Sequence, residues 1–201
     1  MNRVFLLSPA NCNGRRARQL MAQNSRSPLA QRLRAESWAS IGEVFTFLSA
    51  LYFRGKLTYA LAFAQPPAHA TGVAIITPTL GLLPYDAPIG IAQLESFCRV
   101  PITVKNRCYR EALCRSAKAV AETIGPVCEI VLLGSIATDK YLGLLLPIFG
   151  ARLRVPAQFI GLGDMSRGGL LLRCVREQRE LEYVAASALP TRRIGTATAE
   201  N

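Results

Sequence analysis

EIVLLGSIATDKYLGLLLPIF, residues 129–149, decides the fold. Four apolar residues follow Glu129 without a break, the pattern of a strand covered on both faces. Gly134 and Ser135 end that run, and Thr138 or Asp139 offers a helix start. The spacing predicts a strand over 129–133 and a helix over 138–149. Strand, small-residue loop and helix together make the repeating unit of a parallel sheet.

The same unit recurs on both sides. Strands are predicted over 4–7, 73–77, 152–155 and 181–185. Helices over 14–22 and 29–37 follow the first strand, and then comes the apolar stretch GEVFTFLSALYFRGKLTYALAFA, residues 42–64. Helices over 91–98 and 109–124 follow the second strand, and one over 168–179 follows the fourth. The expected architecture is α/β: a single three-layer domain over 1–190, Rossmann-like, with a mostly parallel sheet of about five strands. Residues 191–201 lose the apolar pattern and read as a disordered tail.

A chain of 201 residues buries roughly 70% of its unfolded surface as one domain, and the half that is hydrophobic excludes general disorder. The 24 Lys and Arg against 13 Asp and Glu leave a charge of +11, which points to a polyanion as partner, nucleic acid, a nucleotide or an acidic membrane surface, with nucleic acid or a nucleotide favoured; the alternative is a basic surface that serves only solubility. Residues 1–35 hold seven arginines and no acid. The opening VFLL is too short for a secretory hydrophobic region and reads as the first strand. Glu43, Arg54, Gly55 and Lys56 interrupt the stretch 42–64, so it reads as a buried helix or helix pair and no membrane span is expected. Six cysteines without a Cys-x-x-Cys pair, and the single histidine His69, argue against a metal site; no cofactor is expected. Scattered thiols suit a reduced, cytoplasmic setting.

In an open parallel sheet, ligands lie beyond the carboxyl ends of the strands. The loops expected there are SPANCNG, TPTLGLLPYDAPI, GSIATDKY and PAQFIGLGDMSRGG. They offer as ligand or phosphate contacts Ser8, Asn11, Gly14 and Arg15 from the first, Gly81 from the second, and Gly134 and Ser135 from the third. The fourth adds Gly161, Gly163, Ser166, Arg167 and Gly168. A helix start near Gly14 would present free N–H groups to an anion; the alternative is an Asn cap with solvated arginines. Gly168 and Gly169 are poor helix formers, and together they suggest close packing or a ligand against the backbone. The loops contain no P-loop, no nucleophile elbow and no dinucleotide-binding Gly-x-Gly-x-x-Gly. Asp86, Asp139 and Asp164 are expected at the same sheet end. Asp164 and Asp86 are the candidate catalytic acids or bases, each alternatively a cap or turn residue.

LYFRGKLTYALAFA, then a strand, then TPTLGLLPYDAPI, and later VLLGSIATDKY with GARLRVPAQFIGLGDM, resemble the YaaA-related family of domains of unknown function. The resemblance covers about residues 44–169. It implies a uracil-DNA glycosylase-like α/β layout, a kinship with enzymes of 7-deazaguanine modification, and a site lined by Tyr52, Arg54, Gly55, Lys56, Gly81, Leu82, Leu83 and Asp86. The chain carries neither the water-activating motif nor the His-Pro-Ser loop of glycosylases, so base excision is not implied.

Three functional readings follow. The first is a nucleic-acid- or nucleotide-associated protein acting in base modification or recognition. The second is a nucleoside or nucleotide-sugar hydrolase or transferase using a loop aspartate. The third is a non-catalytic assembly partner docking through Phe45, Phe47, Tyr52 and Phe53, residues that read better as core. The oligomeric state is not legible.

Overall fold

Three five-residue runs form the middle of the sheet: β1 (Arg3–Leu7), β3 (Val73–Thr77) and β6 (Glu129–Leu133). Their side chains alternate between two apolar layers, which is why each run is apolar almost throughout. Phe5, Leu7, Val73, Ile75, Val131 and Leu133 enter one layer; Val4, Leu6, Ala74, Ile76, Ile130 and Leu132 enter the other. The computed structural model describes residues 1–35, 39–136 and 138–189, and the predicted tail over 191–201 lies outside them.

β4 (Gly81–Pro84), β7 (Leu153–Pro156) and β8 (Tyr183–Ala185) complete a six-stranded sheet in the order β4-β3-β1-β6-β7-β8. β3, β1, β6 and β7 run parallel, while β4 and β8 are antiparallel edges. The fold is thus α/β with a mostly parallel sheet, of six strands instead of about five. A separate two-stranded ribbon pairs β2 (Ala39–Ser40) with β5 (Pro88–Ile89).

Helices cover both faces. α1 (Arg15–Met21), α2 (Pro28–Arg34), α3 (Ile41–Phe63), α4 (Ile91–Arg99) and α7 (Asp164–Arg176) pack on the layer that holds Phe5. α5 (Arg107–Ile124) and α6 (Asp139–Phe149) pack on the layer that holds Val4. No helix among the described residues is long and apolar enough to cross a membrane. Phe45 and Phe53 lie in the core, and Phe47 is half-buried against it.

The stretch 42–64 is a helix pair. Ala50 takes φ 42°, ψ −111°, and breaks α3 into two limbs. The Phe45 and Phe53 rings meet edge to face at 5.4 Å, although eight residues of straight helix would part them by about 12 Å. The second limb, residues 51–63, runs back along the sheet to where Gln65 pairs with Arg3 at the start of β1.

Among the boundaries that differ from the sequence reading, two bear on the site. TPTLGLLPYDAPI is not one loop: the chain turns at Thr77–Gly81 and returns as β4, pairing Thr77 with Gly81 and Ala74 with Pro84. α7 begins at Asp164, not Gly168, so Asp164, Ser166 and Arg167 lie in its first turn.

Candidate functional site

From β1 the chain crosses to β3 on one side; from β3 it crosses back over β1 to β6 on the other. The segments that follow β1 and β6 therefore depart to opposite faces and open a crevice at those strand ends. The two ends are pressed together. Ser8 donates its N–H to the Leu133 carbonyl at 3.0 Å, and a β-carbon on Gly134 would lie 2.9 Å from Ser8 Cβ.

Lys56 reaches into this crevice from the second limb of α3. Its Nζ donates to Ser8 O at 2.6 Å and to Ser8 Oγ at 2.8 Å, and the side chain is 1% exposed. Tyr52, one helical turn earlier, lays its ring 4.6 Å from Nζ, with Phe53 at 4.9 Å. Burial pushes the Lys56 ammonium down to about 7; Asp164 opposes the shift, and Arg167 and Lys140 add to it.

Arg167 enters from α7 and is 7% exposed. Its Nη2 donates to Phe159 O at 2.7 Å, its guanidinium stacks on the Phe159 ring at 5.1 Å, and Nη1 lies 3.6 Å from Asp164 Oδ1. Asp164 itself is 68% exposed, so this pair is weakly bound. Two polar atoms here are buried without a hydrogen bond: Arg167 Nε and Tyr52 Oη. Burial raises the Tyr52 phenol and keeps it protonated, partly offset by the nearby Arg167. Tyr141 from α6 closes the far side; burial raises its pKa, and the neighbouring Ser8 partly offsets the shift.

The structure thus gathers Ser8, Tyr52, Lys56, Gly134, Asp164, Arg167 and Gly168 from the residues singled out in the sequence. Gly55 and Gly168 make the approach of α3 and α7 possible: a β-carbon on Gly55 would meet Gly168 O at 2.7 Å, and one on Gly168 would meet Tyr52 Cα at 2.9 Å. Ser135 lies beside Gly134 and is half-buried, whereas Gly161, Gly163 and Ser166 are exposed in the segment leading to and opening α7.

Other candidates lie elsewhere. Asp86 is at the opposite end of the sheet, since β4 carries the chain back until Tyr85 N–H bonds Val73 O at the start of β3. Leu82 and Leu83 lie along that returning strand. Gly81 adopts φ 71° and lies against α5, where a β-carbon would meet Ala112 O at 2.3 Å. Arg54 is exposed, turned about 200° around the helix from Tyr52 and Lys56. Asn11 accepts from the Asn13 N–H at 2.9 Å in a local turn, and Gly14 caps an α1 only seven residues long, with Arg15 exposed after it. Tyr141, Phe159 and Lys140 were not singled out in the sequence; an apolar helix and a half-apolar loop gave them no polar signature. The six cysteines are free thiols, and no group of three metal-ligating side chains occurs among the described residues.

Comparison with protein-family models, curated proteins and solved structures finds no match to this chain. The geometry alone must carry the functional reading. Two cations and a phenol, all buried, converge on one strand end with a single, solvated carboxylate among the described residues. Such a site suits an anion with a hydrogen-bonding group beside it.

Proposed function

We propose that this protein binds a nucleotide, free or as a unit of nucleic acid, in the crevice between β1 and β6. One observation carries the reading: Lys56 and Arg167 are buried to 1% and 7% exposure at the topological switch point, with no buried carboxylate among the described residues to balance them. A bound phosphate would supply the missing counter-charge. Arg167 Nε, buried without a partner, offers it a donor, and the Tyr52 hydroxyl lies beside the same guanidinium. The chain's +11 charge would favour approach of a polyanion. The resemblance to YaaA-related domains points the same way.

A second reading uses Asp164, which stands 3.6 Å from Arg167, as acid or base toward a nucleoside or nucleotide-sugar substrate. One set of titrations separates the two. Mononucleotides and short single- and double-stranded DNA and RNA are titrated across a salt series against wild type, Lys56→Met and Arg167→Gln. The binding reading expects affinity that falls with salt and is lost at least tenfold in both variants. Binding indifferent to both substitutions rejects the crevice. Turnover of a nucleoside substrate that Asp164→Asn abolishes, with binding retained, favours the second reading.

A further inference from the structure

We propose that the sheet end around the crevice docks on an anionic lipid bilayer, with Ile160, Leu162 and Met165 inserted at the interface and the surrounding cations against the headgroups. The proposal concerns the rim and goes beyond the reading of the crevice itself. Docking of this kind needs no spanning helix.

A bare apolar prow, the stretch 160–166, is the first argument. Ile160 is 56% exposed, Leu162 37% and Met165 68%, so three of the seven large hydrophobic side chains exposed among the described residues fall within six positions. Scattered exposed hydrophobics are ordinary, whereas a cluster of them marks an interaction surface. Nothing lies within 4 Å of a β-carbon placed on Gly161 or Gly163, so the prow stands clear of the body. Its shape is nevertheless held. Arg167 Nη2 donates to Phe159 O at 2.7 Å and ties the two buried ends of the stretch together, and the Leu162 N–H donates to the same oxygen at 3.4 Å. Leu80, 46% exposed in the turn from β3 to β4, adds a second apolar point at the same sheet end.

Charge is the second argument, and it names the partner. Arg15 and Arg18 lie in α1, which opens at this end after the β1 loop. The Tyr109 hydroxyl donates to Lys140 O at 2.7 Å, which sets the start of α5, with Lys105 and Arg110, beside the start of α6. These five cations form no ion pair among the described residues. Asp139 and Asp164 are exposed at the same end, and positive charge still prevails there.

A polyanion is therefore the partner, and the prow chooses among polyanions. Nucleic acid is held mainly by aromatic side chains that stack on bases and by polar groups at phosphates. No aromatic residue lies in the prow. Aliphatic side chains ringed by cations match the interface of an anionic bilayer, where the acyl boundary takes the first and the headgroups the second.

The test is co-sedimentation of the full chain with vesicles of phosphatidylcholine alone and of phosphatidylcholine mixed with phosphatidylserine, beside titration of duplex DNA. Three variants are compared with wild type, all changed at exposed positions that the fold does not need: Ile160→Ser with Met165→Ser, Lys105→Glu with Arg110→Glu, and Val127→Ser. Val127, 74% exposed before β6 at the opposite sheet end, is the control. Wild type should bind the mixed vesicles about tenfold or more tightly than the neutral ones, and each double variant should lose about tenfold on them. Val127→Ser should bind as wild type does, and Ile160→Ser with Met165→Ser should keep its affinity for DNA. Absence of vesicle binding overturns the proposal, as does vesicle binding that ignores the Ile160 and Met165 changes. A loss of DNA affinity in that variant equal to its loss on vesicles also overturns it and hands the prow to nucleic acid. Thermal stabilisation of wild type by a mononucleotide, measured in parallel without lipid, reports on the crevice separately: stabilisation with no vesicle binding overturns the docking alone.

Discussion

Gly55 and Gly168 touch backbone to backbone. A β-carbon on Gly55 would lie 2.7 Å from the Gly168 carbonyl oxygen, closer than any side-chain carbon tolerates. Lys56 follows the first glycine and Arg167 precedes the second, so this crossing of α3 and α7 is what carries the two buried cations into one crevice.

Gly168→Ala should destabilise the protein by about 1–3 kcal/mol, because the added methyl must push two helix backbones apart. Gly169→Ala should do the reverse. Nothing lies within 4 Å of a β-carbon there, so the better helix former stabilises by up to about 1 kcal/mol. Urea melts of both variants check the pair. Equal effects would mean that the crossing is not tight.

Lys56 makes stability depend on pH. Its folded value, about 7, lies below its unfolded value of 10.5. Between the two, the unfolded chain binds more protons than the folded one, so stability rises with pH, at most by about 1.4 kcal/mol per unit. Below pH 7 the full penalty of burying the ammonium is present. Denaturation between pH 7 and 9.5 should show this slope in wild type and its loss in Lys56→Met. The window stops short of 10 because burial raises Tyr59 to about 12, and such tyrosines remove stability once the unfolded phenols ionise.

Binding of a phosphate ligand should pull a proton onto Lys56, since a nearby anion favours the ammonium. At pH 8 the uptake approaches one proton in wild type and vanishes in Lys56→Met. Calorimetry in buffers of different ionisation enthalpy measures it. The sign follows directly: affinity declines as pH rises above 7.

Asp164→Asn removes the only carboxylate beside Arg167 among the described residues, and it is solvated. Nucleotide affinity at low salt should rise up to about fivefold, in keeping with an exposed pair worth at most about 1 kcal/mol. A loss of affinity in equilibrium titration would show that Asp164 holds the ligand instead of competing with it.

Three exposed arginines, Arg15, Arg18 and Arg26, are the ones to reverse for nucleic-acid contact. Arg16 donates to Phe47 O at 3.1 Å, Arg32 pairs with Glu43, and Arg34 bonds backbone carbonyls, so those three hold the fold. The triple change to Glu should lower the salt slope of duplex DNA binding by about 0.9 for each phosphate that is no longer neutralised. An unchanged slope places the polyanion elsewhere.

The sequence alone determined the centre of the sheet. Residues 73–77 and 129–133 match β3 and β6 to the residue, because a strand buried on both faces must be apolar throughout and says so locally. It also determined that small and polar residues follow those strands, and hence the sheet end where Ser8 and Gly134 meet. Only the tertiary structure decided the rest. β4 ends in Pro84 and borders solvent, and an edge strand of four residues with a proline carries no pattern that separates it from a loop. That reversal took Asp86 to the far end. α7 starts four residues before Gly168 because contact with α3 overrides the poor helix propensity of a glycine pair. The bond from Lys56 to Ser8 spans 48 residues. A contact between residues so far apart depends on how helices cross and strands order, and local sequence encodes neither.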